Sequence, residues 1–164
     1  MIAPKILTYK DLDRLSVFLD KCIKNTYAVS APKQKSCRLR SHDYKFREGP
    51  WFFHDSALGE REFGGQQIIY HEADPVWEMS YHGELRITAV PGEKIYGFLK
   101  RALLRRDFKR NLPRGPQLFK EPGKKWIYVN KCEGKLEEFK GKEYIYISGG
   151  LAYLMRYQGG LLLE

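Results

Sequence analysis

The chain has 164 residues, 43% hydrophobic and 30% charged, with 29 Lys and Arg against 20 Asp and Glu for a formal charge of +9. That length allows one domain with a real core, or two very small ones, and the composition is that of an ordinary globular chain. No apolar run approaches the roughly 18 residues needed to span a membrane, so no membrane partner is expected.

The N-terminus, Met1–Lys5, lacks the apolar core of a secretory signal, which places the expected protein in the cytoplasm. Its three cysteines, Cys22, Cys37 and Cys132, form no C-x-x-C pair and are expected to be reduced thiols. Eleven Tyr, nine Phe and three Trp favour strands. The basic surplus suits an acidic partner, although a solvated basic surface is its commoner meaning.

In chain order, Thr8 followed by Asp11 resembles a capping box. Leu12, Leu15, Phe18, Leu19, Cys22 and Ile23 then recur with helical period, predicting a helix over 9–25 that covers a sheet with one apolar stripe. Residues 28–41 carry Pro32, Ser36 and the basic Lys33, Lys35, Arg38 and Arg40, which reads as a surface loop. Tyr44–Arg47 and Trp51–Asp55 flank Glu48-Gly49-Pro50 and predict a hairpin. Facing residues 48 and 51 would pair 46 with 53 and 44 with 55, so that Tyr44, Phe46, Trp51, Phe53 and Asp55 share one face.

Two further strands follow, Phe63–Tyr70 and Pro75–Gly83, with Leu85–Thr88 as a possible extension and Gly64-Gly65 read as turn geometry. A second helix starts at Pro91-Gly92 and is expected to reach about Arg110, its stripe being Ile95, Phe98, Leu99, Ala102 and Leu103.

The chain repeats itself. Shifted by 76 positions, Phe63, Gly65, Ile69, Tyr70, Met79, Tyr81, Gly83 and Leu85 recur as Phe139, Gly141, Ile145, Tyr146, Met155, Tyr157, Gly159 and Leu161. The helix stripes match at an offset of 80, and Trp51–Asp55 is replayed by Trp126–Asn130 at 75. The predicted fold is α+β: duplicated helix-plus-four-strand halves, about 8–88 and 91–163, forming a curved antiparallel sheet with helices packed on it about a pseudo-two-fold. Each half is too thin to stand alone, so 1–164 is expected to be a single domain.

A cleft near that axis would be an aromatic-lined small-molecule site, with Trp77, Tyr81, Tyr153 and Tyr157 as walls and Tyr44 and Asp55 as polar anchors. The alternative is a nucleic-acid or polyanion surface on the second helix. There Arg101, Arg105 and Lys109 would form a stripe beside Arg106 and Arg110. The four histidines, His42, His54, His71 and His82, all lie in the first half. They show no metal-ligand spacing, and no nucleophile elbow, P-loop or dinucleotide fingerprint is present, so no metal, cofactor or catalytic residue is assigned.

The order Ser41-His42-Asp43-Tyr44, Asp55-Ser56, Phe63-x-Gly65-Gln66-Gln67, Pro75-Val76-Trp77-x-Met79-x-Tyr81-x-Gly83 resembles an uncharacterised prokaryotic family, a domain of unknown function. That family is found alone or behind a helix-turn-helix, which implies a sensor or effector-binding role. Nothing precedes the first helix here, so no DNA-reading module is expected in this chain. Gln67 and Ser80 stand where the family pattern has an acidic residue and Asn, and the resemblance supplies no catalytic residues. The leading reading is a non-enzymatic, regulatory small-molecule binder. An enzyme ranks below both binding readings, because acid and base candidates exist without a constellation.

Overall fold

The computed structural model describes residues 9–162. Thr8, the expected helix cap, lies outside them. Helix α1 (Tyr9–Asn25) has the predicted bounds and leads through a 3-10 turn, Tyr27–Val29, into the basic loop. Four strands follow, β1 (His42–Glu48), β2 (Trp51–Gly59), β3 (Glu62–His71) and β4 (Asp74–Leu85), then α2 (Gly92–Leu103) and a second 3-10 turn, Phe108–Arg110. The chain closes with β5 (Leu118–Lys120), β6 (Trp126–Lys135), β7 (Glu138–Ile147) and β8 (Gly150–Leu161). All eight strands join one antiparallel sheet in the order β1-β2-β3-β4-β8-β7-β6-β5, so the fold is α+β.

The hairpin β1–β2 has the register read from the alternation, with Tyr44 opposite Asp55, Phe46 opposite Phe53 and Glu48 opposite Trp51. Because strand side chains alternate, these residues form the inner face on which the helices lie. Each helix docks through one phenylalanine. Phe18 of α1 stands 5.6 Å from Trp51 and 5.8 Å from Phe46, and Phe98 of α2 stands 5.4 Å from both Trp126 and Phe119. The apolar stripes of both helices are buried against the sheet.

At the middle of the sheet β4 meets β8 with Tyr81 opposite Tyr157, Met79 opposite Gly159 and Gly83 opposite Met155. Gly65 lies within β3 opposite Tyr81 rather than in a turn, because the tyrosine ring crosses its Cα; a Cβ would collide with the Tyr81 hydroxyl and lie 2.6 Å from the Ser56 carbonyl oxygen. Gly141 sits under Tyr157 in the same way. The β3–β4 turn is made by Glu72 and Ala73, both with positive φ (53° and 78°), which matches the twist a two-residue hairpin needs.

The second helix is shorter than its stripe of charges suggested. It ends at Leu103, and the chain turns inward because Arg106 is drawn under α1, donating to Ser16 O (3.0 Å), Ser16 Oγ (3.0 Å) and Leu112 O (2.9 Å). Asp107 accepts from Lys109 N and starts the separate 3-10 turn. Strand β4 likewise stops at Leu85, although Arg86 N still donates to Ala152 O.

Trp77 is fully buried, stacks on Phe139 at 5.6 Å and donates from Nε1 to Leu136 O at 3.1 Å. Trp77→Ala is therefore expected to cost about 3–5 kcal/mol in urea-induced unfolding. A loss below about 1 kcal/mol would show that this ring does not hold the β6–β7 turn to the sheet.

Candidate functional site

The inner face carries two buried carboxylates. Asp55 on β2 faces Gln67 on β3, and Glu143 on β7 faces Asn130 on β6. At offsets of 75 and 76 positions, carboxylate and carboxamide have thus exchanged strands between the two halves of the chain. In both places the amide or acid on the earlier strand accepts from a tyrosine of the central pair. Tyr81 donates to Asp55 Oδ1 at 2.7 Å, and Tyr157 donates to Asn130 Oδ1 at 2.6 Å.

The two acids are compensated differently. Glu143 receives a two-pronged contact from Arg114, with Nε to Oε1 at 3.0 Å and Nη2 to Oε2 at 2.9 Å, and further bonds from Tyr128 (2.6 Å) and Tyr153 (3.4 Å). Arg114 is itself buried; burial pulls its pKa down, but the Glu143 charge and hydrogen bonds overcome that and hold it well above the usual value. Among the described residues Asp55 has only neutral donors, Tyr81 and Gln67 (3.1 Å). Burial pushes its carboxyl up, and the two hydrogen bonds and the charges of Arg114 and His54 reverse this only in part.

Above Asp55 lies a cavity of about 610 Å³ between the inner face of β1–β4, the 3-10 turn after α1, and α2. Its aromatic walls come from Tyr27, Tyr44, Phe53, Phe63, Tyr81, Tyr96 and Tyr153, and Asp55 and Arg114 reach its floor. Lys33 and Lys100 stand at its edge. Lys100 Nζ lies 4.8 Å over the Tyr27 ring and 3.0 Å from Ser30 Oγ, and both burial and the charge of Lys33 push its pKa down.

Of the residues expected to form a cleft, Tyr44, Asp55, Tyr81 and Tyr153 line this cavity. Trp77 and Tyr157 do not. Trp77 packs into the core, and the Tyr157 ring is buried against Phe139 with its hydroxyl taken by Asn130. The cavity lies over β1–β4 instead of over the central strand pair, and on β7 the buried carboxyl of Glu143 is taken by Arg114. Lys33, Lys100, Tyr27 and Arg114 also line the cavity, though the sequence does not place them at the cleft. They come from the loop, the helix and the inter-element turn, whose approach to β2 depends on tertiary packing.

The expected cationic helix face is not formed. Arg101 is paired with Glu121, Arg106 is buried, and Arg105, Lys109 and Arg110 follow the end of α2.

The outer face carries a second polar cluster. Asp43 is fully buried there, accepting from Ser41 Oγ and Ser56 Oγ on Oδ1, and from His54 Nε2 (2.6 Å) and Cys37 N (3.3 Å) on Oδ2. Burial raises the Asp43 carboxyl, but hydrogen bonds from Cys37, Ser41 and His54 outweigh it and hold the group well below the usual carboxylate range. Neighbours on one strand, such as His42 and Asp43 or His54 and Asp55, point to opposite faces, and the sheet joins His54 to Asp43 across the β1–β2 hairpin. The hairpin register contains this result, since 43 opposite 56 and 45 opposite 54 put Asp43, His54 and Ser56 on one face.

An α+β domain with helices on one face of an antiparallel sheet and an aromatic, acid-floored cavity is the class these features define. Residues 55–162 match the family described as Domain of unknown function (DUF5680), and the chain belongs to that family. No curated protein and no solved structure matches the chain. The matched span begins at Asp55, so it holds the carboxylate–amide pairs and Arg114, whereas Cys37, Asp43 and His54 precede it.

An acid whose pKa is higher in the folded than in the unfolded chain contributes stability at low pH that is lost as pH rises toward the folded value. Asp55→Asn should remove that loss. The variant's melting temperature, measured relative to the parent protein, is expected to increase from about pH 4 to about pH 7, and a difference independent of pH would contradict the assignment. Arg114→Met strands Glu143 and should cost about 3–5 kcal/mol in chemical unfolding, with Glu143→Gln in the same chain recovering part of it; an unchanged unfolding midpoint would argue against the pair.

Proposed function

We propose that the chain binds a small organic anion with a planar, apolar body in the cavity above Asp55, as a non-enzymatic binding protein. The observation that carries this reading is the composition of the cavity wall: seven aromatic rings around a buried carboxyl, with Lys33 and Lys100 at the edge. Aromatic walls with a few placed polar groups are the usual form of a small-molecule site. Burial, and after it the charge of Lys33, pushes the Lys100 pKa down, and an anionic group beside Lys100 would offset both. The Asp55 carboxyl, already bonded to Tyr81 and Gln67, offers its polar edge to a donor on the same molecule.

The cationic residues on and after α2 favour a polyanion partner less, since Arg101 and Arg106 are engaged within the fold.

The same proposal includes an origin by internal duplication, with the pseudo-two-fold passing between Tyr81 and Tyr157. Three features support it. The β4–β8 pairs map onto one another when the halves are exchanged, both third strands of each half carry an irregularity at equivalent positions (Ile69/Tyr70 and Ile145/Tyr146), and each helix docks by Phe onto Trp. In this account the ligand site arose where the copies diverged.

A thermal-shift panel of aromatic carboxylates and phosphate esters, each beside a neutral isostere, tests the reading. At 100 times its dissociation constant a ligand stabilises by about 2.7 kcal/mol. Lys100→Ala is expected to weaken the anions at least about 10-fold, or about 1.4 kcal/mol, and to leave neutral isosteres nearly unchanged. Equal loss for both, or no stabilisation by any member, would refute the anion site.

A further inference from the structure

The outer-face cluster brings together three donors of different chemistry. Cys37 Sγ, an Asp43 carboxylate oxygen and a His54 ring nitrogen all lie within 4.8 Å of one another. They come from the loop, from β1 and from β2. We propose that these three side chains form a binding site for a divalent cation of the zinc class, with a fourth position open to solvent on the Cys37 side.

Several features of the cluster support it. The thiolate, imidazole and carboxylate set suits a borderline cation; magnesium and calcium take oxygen donors. Zinc bonds of about 2.0–2.3 Å put tetrahedral donors roughly 3.3–3.8 Å apart, so Asp43 Oδ2 and His54 Nε2, now 2.6 Å apart, need to open by only about 0.7 Å. Cys37 Sγ already lies within 4.8 Å of both, and its residue is exposed, so it can follow the cation. The carboxylate is already divided between two roles. Its Oδ1 is held by Ser41 and Ser56, and its Oδ2 faces His54 and the Cys37 amide. Hydroxyls on the far oxygen of a ligating carboxylate are the outer contacts that orient such ligands.

The loop that delivers Cys37 is also built. Gln34 N donates to Asp43 O at 2.8 Å, Ser36 Oγ donates to Ser41 O at 2.6 Å, and Ser41 N donates to Arg38 O at 3.1 Å.

One group opposes the cation. Arg38 lies against Ser56, with Nη2 2.8 Å from Ser56 O and 2.9 Å from Ser56 Oγ. Its positive charge borders the site from the exposed loop, so it must swing outward when the cation enters, while the Cys37 thiol releases its proton. That opposition separates a metal site from a hydrogen-bonded clasp, because removing Arg38 loosens a clasp and tightens a cation site.

Cobalt(II) titration of the full chain, followed by absorption and by equilibrium dialysis, tests the proposal. One cobalt per chain is expected, with a thiolate-to-cobalt charge-transfer band that zinc displaces. Cys37→Ser should abolish the band and His54→Gln should weaken binding at least about 10-fold, whereas Arg38→Gln should tighten it and Cys132→Ser should change nothing. A titration without the band, a band that survives Cys37→Ser, or weaker binding in Arg38→Gln would overturn the site. Should Cys37→Ser fail to fold, unchanged affinity in His54→Gln would overturn it as well.

Discussion

Two carboxylates are buried on the inner face of the sheet, and the architecture above that face depends on how each is compensated. A buried charge is costly unless it is paired or shed. Glu143 is paired: Arg114 reaches it with both prongs of its guanidinium, and Tyr128 and Tyr153 complete its acceptor sites. Among the described residues Asp55 is hydrogen-bonded by Tyr81 and Gln67 alone, and burial, which these bonds offset only in part, pushes its carboxyl up. One side of the face is closed by its own salt bridge, and the other carries an open polar floor.

The rest of the cavity follows from where the helices rest. Phe18 and Phe98 fix the helices over the outer strand pairs, β1–β2 and β5–β6, through Trp51 and Trp126. The space above Asp55 is then roofed by the turn after α1 with Tyr27, by the following loop with Lys33, and by α2 with Tyr96 and Lys100. The crossing of the chain at Ser16 and Arg106 joins α1 to the segment after α2, which holds that roof in place. On the opposite face the basic loop is pinned by Asp43, so one hairpin supports both the cavity and the cluster that faces away from it.

Much of this was legible in the residues. The Leu12 to Ile23 stripe located α1, and the alternation around Glu48-Gly49-Pro50 gave the β1–β2 register that sets Asp55 on the inner face. Asp55, Tyr44, Tyr81 and Tyr153 were recognised as polar or aromatic residues on that face. Trp77 and Tyr157 lie in the core and do not line this cavity; alternation assigns a face and cannot say whether packing or a cavity covers it. The length of α2 was overestimated because Lys, Arg and Phe all tolerate a helix. What ends it is a tertiary hydrogen bond from Arg106 to a helix 90 positions earlier. The Cys37, Asp43 and His54 cluster has no linear spacing to detect, since its members meet through strand pairing and a folded loop.

The account rests most heavily on Asp55 being the uncompensated acid of the inner face. A pH titration of the side-chain carboxyl carbons by NMR tests this directly. The Asp55 signal should titrate with a midpoint above the ordinary aspartate value of about 3.9, and move further up in Arg114→Met, which removes a nearby buried cation that lowers it. A midpoint at or below the ordinary value would contradict it.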